Sequence, residues 1–177
     1  MQTFVILFRG INVGGHKKIP MKTLKTALES LGYTDVETYI QSGNVVLKSP
    51  DSLSKIETDV ADVVKDTFGF ECGIHVLNRD DFSAIIAANP FKKATQIPKS
   101  LHVYYLKSPS INPDHEVLGE LKKEDEAYVL TDLALYLHTP SGLGTSKLAE
   151  KIEKALRVTA TARNWNTVMA LSRLSLK

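Results

Sequence analysis

An apolar run at residues 4–8 breaks into Arg9-Gly10-Ile11-Asn12-Val13-Gly14-Gly15, followed by His16-Lys17-Lys18. Glycine admits positive φ and close approach to the main chain, so such a loop turns backbone N–H groups toward an anion. Arg9 and Lys17 supply charge there, and Asn12 an orienting amide. The plain alternative is a strand-to-helix connection whose glycines serve geometry alone. A second stretch, Gly142-Leu143-Gly144-Thr145-Ser146-Lys147, presents N–H groups and Ser146 ahead of a helical pattern, with Lys147 adding charge. It is not a P-loop, which needs Gly-Lys followed by Ser or Thr after a four-residue gap. Its plain alternative is a loop with Ser146 as helix cap. Arg163-Asn164-Trp165 offers a guanidinium fork for phosphate or carboxylate and an indole for stacking. Trp165, Val168, Met169 and Leu171, however, recur as one buried helix face. Gln41-Ser42-Gly43-Asn44 reads as a hairpin turn, with Gln41 and Asn44 facing either a ligand or their own backbone.

Other chemistries find little support. His16, His75, His102, His115 and His138 are scattered without an i,i+4 partner or a cysteine neighbour, so no metal site is expected. No Gly-x-Ser-x-Gly elbow and no marked pair of acids occurs, so neither a reaction nor a cofactor can be read. Cys72 is the single cysteine, which excludes an internal disulfide and suits a small apolar core residue. Lys147, Lys151 and Lys154 interleave with Glu150 and Glu153 as a solvated helix face with i,i+4 pairing. The 22 basic and 20 acidic residues leave a net charge of +2, too balanced for polyanion binding by field alone, so any basic patch is local. The N-terminus lacks a positive leader and no apolar stretch is long enough to span a bilayer. A soluble cytoplasmic protein, without membrane contact, is expected.

These candidate residues need elements to hold them. The apolar run at 4–8 is a buried strand. Pro20 opens a helix with Met21, Leu24, Ala27, Leu28 and Leu31 at helical spacing, and Gly32 ends it. Strands at 36–40 and 45–48 flank the hairpin turn. A helix then runs from a cap at Asp51 or Ser52 to Gly69, followed by a strand at 72–77 and a helix at 81–88. The same order recurs without residue identity: strand 101–106, helix 113–123, strands 127–130 and 134–138, helix 146–156, strand 158–161 and helix 164–174. The expected fold is α+β, two ferredoxin-like βαββαβ halves at 1–90 and 91–177, each followed by an additional helix, as an internal duplication. Residues 89–100, with two prolines and three lysines, are the candidate linker.

In a split β-α-β unit the third strand inserts antiparallel between the first two, so loop 9–18 and hairpin 41–44 share one sheet edge. In the second half, loops 140–146 and 161–164 share the opposite edge of their own sheet.

Phe8-Arg9-Gly10-Ile11-Asn12-Val13-Gly14-Gly15, Tyr39-Ile40-Gln41-Ser42-Gly43-Asn44-Val45-Val46, Gly142-Leu143-Gly144-Thr145-Ser146-Lys147-Leu148 and Thr161-Ala162-Arg163-Asn164-Trp165 resemble the bacterial domain of unknown function 1697 family. Thr145 stands where that family more usually has arginine, and Ala162 where it has threonine. The resemblance implies a small cytosolic protein with duplicated ferredoxin-like parts, and supplies no activity, cofactor or catalytic residue. The leading expectation is binding, with or without turnover, of a small phosphate-bearing or carboxylate ligand such as a nucleotide. Arg9, Lys17, Lys147 and Arg163 would carry charge; Asn12, Gln41, Asn44, Ser146 and Asn164 would orient it; Gly14 and Gly15 would open the backbone. The alternatives are a nucleic-acid-binding module, weakened because strand 43–48 lacks stacking aromatics, and a structural or protein-interaction domain.

Overall fold

In the computed structural model, which describes residues 1–177, β1 (Gln2–Arg9) leads into α1 (Met21–Ser30), β2 (Thr34–Thr38), β3 (Asn44–Ser49), α2 (Leu53–Phe68) and β4 (Gly73–Asn78). The four strands form an antiparallel sheet in the order β2-β3-β1-β4, and α3 (Arg79–Ala87) follows it. The second series is β5 (Leu101–Leu106), α4 (His115–Leu121), β6 (Ala127–Leu130), β7 (Ala134–His138), α5 (Lys147–Leu156), β8 (Ala160–Asn164) and α6 (Trp165–Ser175). Its sheet order, β6-β7-β5-β8, repeats the first. The fold is thus α+β, with two similar βαββαβ halves each trailed by a helix. The compact units are Met1–Ala84 with Met169–Lys177, and Ile85–Val168.

The repetition reaches single residues. Phe4 lies between Leu47 and Asn78 in the first sheet, and His102 lies between Leu137 and Asn164 in the second. Asn78 and Asn164 each end a fourth strand and cap the next helix, their Oδ1 atoms accepting from the N–H of Asp81 at 2.7 Å and of Thr167 at 3.0 Å. Ser52 and Ser146 do the same for α2 and α5, accepting from Lys55 N–H at 3.3 Å and Ala149 N–H at 3.1 Å. Each cap satisfies a donor that a helix start leaves unpaired.

Alternating residues bury one sheet face under two helices. Phe4, Ile6, Phe8, Val45 and Leu47 meet Leu24 and Leu28 of α1 and Ile56, Val60 and Val64 of α2. Tyr104, Leu106, Leu135 and Leu137 meet Leu118, Leu148, Ile152 and Leu156 in the second unit. The opposite faces are buried too: Val5, Leu7 and Val46 in one sheet, Val103, Tyr105 and Tyr136 in the other. Burial on both faces is why β1 and β5 read as continuous apolar runs.

Sequence expectations shift in several places; the strand expected at 36–40 is Thr34–Thr38, which leaves Ile40 in the turn. The last strand is Ala160–Asn164, not 158–161, so residues 161–164 are strand and not a loop leaving it. Thr161, Arg163 and Asn164 carry no apolar alternation, and only their pairing with β5 makes them a strand. The helix expected at 113–123 is confined to His115–Leu121, because Asp114 caps it by accepting from Val117 N–H. The candidate linker is folded, with 3-10 turns at Lys93–Gln96 and Pro98–Ser100 and with Asn89, Ala94 and Ser100 buried. Asn89 Oδ1 accepts from Phe91 N–H at 2.9 Å, and Ser100 C=O accepts from Thr139 N–H at 2.7 Å.

Candidate anion-binding loops

The first cluster forms where topology demands it, at the edge shared by the β1–α1 loop and the β2–β3 turn. Asn12 ties the two together. Its Nδ2 donates to Gln41 C=O at 2.6 Å and to Ile19 C=O at 3.1 Å, while its Oδ1 accepts from Ile19 N–H at 2.8 Å. Both amide protons are spent on the main chain, so Asn12 shapes the platform. Asn44 is fully buried, its Nδ2 donating to Tyr39 C=O at 3.0 Å and to Ser42 Oγ at 3.1 Å. Phe8 N–H donates to Gly43 C=O at 2.9 Å, drawing the strand and turn together. A Cβ on Gly43 would fall 2.5 Å from Ile11 Cδ1 and 2.6 Å from Phe8 Cβ, and φ is +81° there. Only glycine fits.

Gly14 and Gly15 build a two-residue turn with φ of 59° and 79°, the signature of a type I′ hairpin. Val13 and His16 bridge across it, with His16 N–H donating to Val13 C=O at 3.1 Å and Asn12 N–H to Lys17 C=O at 3.1 Å. No atom crowds the position of a Cβ on Gly15, and the nearest to that on Gly14 is 3.9 Å away, so the turn is open above. Lys17 is held by Glu71 C=O, 2.7 Å from its Nζ, over the Phe70 ring. Arg9, His16 and Lys18 are exposed around this turn, as is Gln41, whose side-chain amide makes no bond within the protein.

Non-glycine residues at positive φ gather here as well: Asn12 at 55°, Lys17 at 48° and Ile40 at 48°. For a β-branched residue this is a strained conformation. Ile40 and Val13 remain 51% and 69% exposed, so this edge mixes cations with apolar tips.

The second cluster is different in kind. Residues Leu143–Thr145 form a 3-10 turn in which Ser146 N–H donates to Leu143 C=O at 3.0 Å, and Ser146 is the buried cap of α5. Asn164 caps α6. Arg163 is a buried strand residue, with Nη1 donating to Ala162 C=O at 2.8 Å. Burial pushes its guanidinium down to about 10, partly offset by Tyr105, so it stays cationic at neutral pH. Lys147 is exposed. The expected pairing along α5 is not formed: Lys147, Lys151 and Lys154 make no ion pair, and Glu153 Oε1 accepts from Ala160 N–H at 2.8 Å. Trp165 is buried, as the helix-face spacing implied.

Sequence reading missed Lys123. From the segment after α4 it reaches Thr145, Nζ to Oγ1 at 2.9 Å, bringing a charge to the position where the side chain itself has none. It also missed Asp125, whose Oδ2 accepts from Ser141 Oγ at 2.6 Å, a bond that holds the carboxyl below its usual range. The second loop is thus charge-balanced. The first is not: residues 9–18 contain Arg9, Lys17 and Lys18 and no Asp or Glu. Counting acids by segment would have exposed that asymmetry.

Fold and loops together define a duplicated ferredoxin-like α+β protein with a cationic, glycine-turned sheet edge. The chain belongs to the family described as protein of unknown function (DUF1697), which matches residues 1–136. The structure is similar to that of a conserved bacterial protein from Streptococcus pneumoniae, at 22% identity and a TM-score of 0.79, covering 98% of each chain. That likeness shows the fold. Comparison with curated proteins finds no match. No helix is long and apolar enough to cross a membrane.

Proposed function

We propose that the protein binds a small anionic ligand, phosphate-bearing or carboxylate, such as a nucleotide, at the edge formed by residues 9–18 and 40–44. The observation that carries this reading is an exposed loop that holds Arg9, Lys17 and Lys18 with no Asp or Glu of its own, locked to its neighbour by Asn12. Arg9, Lys17 and Lys18 would attract the anion, the open Gly14-Gly15 turn would let it approach the main chain, and the Gln41 amide would orient it. Asn12 and Asn44 would serve as the frame. Ser146, Lys147, Arg163 and Asn164 support the reading less, because a cap or buried strand position already occupies three of them. A base-stacking sheet surface, which the nucleic-acid alternative wants, has no exposed face to use.

Thermal melting with inorganic phosphate, nucleotides and small carboxylates tests the proposal. A ligand at about 100 times its Kd adds ~2.7 kcal/mol of stability, so the melting temperature rises. Lys17→Glu with Lys18→Glu removes the rise while leaving the unliganded transition cooperative. A melting temperature indifferent to every anion overturns the reading.

A further inference from the structure

Val117 and Leu121 of α4 and Ala155 of α5 line a cavity of about 330 Å³ in the second unit, the size of a small-molecule site. Lys151, Lys154 and Arg157 border it, with Asp114 as its one carboxylate. All three cations are exposed, and none makes a hydrogen bond or ion pair within the protein. Asp114 Oδ1 is already engaged, accepting from Val117 N–H at 3.1 Å. Nor do the cations serve the end of α5. Its carbonyls at Ala155 and Leu156 accept from Asp114 N–H at 2.8 Å and Ser110 Oγ at 2.6 Å.

Arg157 carries a further signal. It follows α5 at φ 55°, in the left-handed region, where the first unit places Gly69 at φ 78° after α2. Glycine adopts that conformation without strain, and a residue with a Cβ does not. The second unit thus keeps a guanidinium at a cost its twin avoids, and backbone strain is retained where a side chain is used.

We infer that the α4–α5 groove binds a small amphiphilic anion, a carboxylate or phosphate head on an apolar body. Lys154 and Arg157 take the head, Lys151 adds field, and Val117, Leu121 and Ala155 take the body. This site is separate from the loops at 9–18 and 40–44, so either can fail without the other.

Fluorescence titration of the full chain with 8-anilino-1-naphthalenesulfonate tests the inference. Saturable binding is expected, displaced by decanoate but not by decanol or by inorganic phosphate at equal concentration. Arg157→Gly raises the melting temperature and weakens binding about tenfold. Lys154→Glu, at an exposed position, weakens binding without changing near-ultraviolet circular dichroism. Absence of saturable binding, displacement by decanol as effective as by decanoate, or unaltered affinity in both variants overturns it. Association with phosphatidylglycerol vesicles in place of decanoate binding overturns it too, in favour of a membrane surface.

Discussion

Asn12 shows how a single side chain can look like a ligand contact and be a clamp. Its amide makes three hydrogen bonds to main-chain atoms 7 and 29 residues away. Removing it strands the Ile19 N–H and two carbonyls, so Asn12→Ala is expected to cost about 2 kcal/mol in urea unfolding. Gly43 and Gly15 separate two uses of the same residue type. At Gly43 an added Cβ strikes Ile11 and Phe8, whereas at Gly15 it meets nothing within 4 Å. Gly43→Ala should cost about 3 kcal/mol, through overpacking and backbone strain together, and Gly15→Ala only about 1 kcal/mol, through strain alone. Equal losses in parallel denaturant titrations would contradict that division. None of this could be seen in the sequence, because the partners of Asn12 and Gly43 come from other segments. The residue types were legible; their commitments were not.

The elements make a comparison that residues alone cannot. β1 and β5 occupy the same place in their sheets, yet Phe4 in the first has His102 as its counterpart in the second. His102 is 9% exposed and its Nδ1 has no partner. Burial pushes its imidazole down to about 4, against about 6.5 in an unfolded chain. The unfolded state therefore binds a proton first, and stability falls as pH drops from about 6.5 to about 4, by about 3 kcal/mol from this group. His102→Phe, which copies the first unit, should flatten that part of the stability profile relative to the native protein. Identical slopes for both proteins between pH 6.5 and 4 would show that His102 does not titrate on unfolding. The order of elements was legible because glycine, proline and apolar period punctuate the chain. β8 was not, because Thr161, Arg163 and Asn164 owe their strand to β5, and Thr161 and Arg163 owe their burial to packing.

For the whole molecule, a net charge of +2 conceals an uneven distribution. The first 28 residues hold five cations and no carboxylate, and the fold presents part of that segment at a sheet edge stiffened by the Asn12 clamp. The β7–α5 loop of the second unit, which follows its third strand and so lies at the opposite end of its own sheet, is balanced by Lys123 and Asp125. The two glycine-rich loops thus occupy non-equivalent ends of two similar sheets and differ in chemistry. The two halves were legible in the recurring pattern of elements. The contrast between the two glycine-rich loops emerged only when side chains brought in from outside those motifs could be placed beside them.

The most direct measurement is a nuclear magnetic resonance titration of the full chain with inorganic phosphate and a nucleotide, following backbone amides. Saturable shifts centred on residues 9–18 and 40–44, Gly14 and Gly15 above all, and weakened by added salt, are expected. Amides at that edge that stay unmoved while the ligands shift other residues, or shift none, would contradict an anion site there.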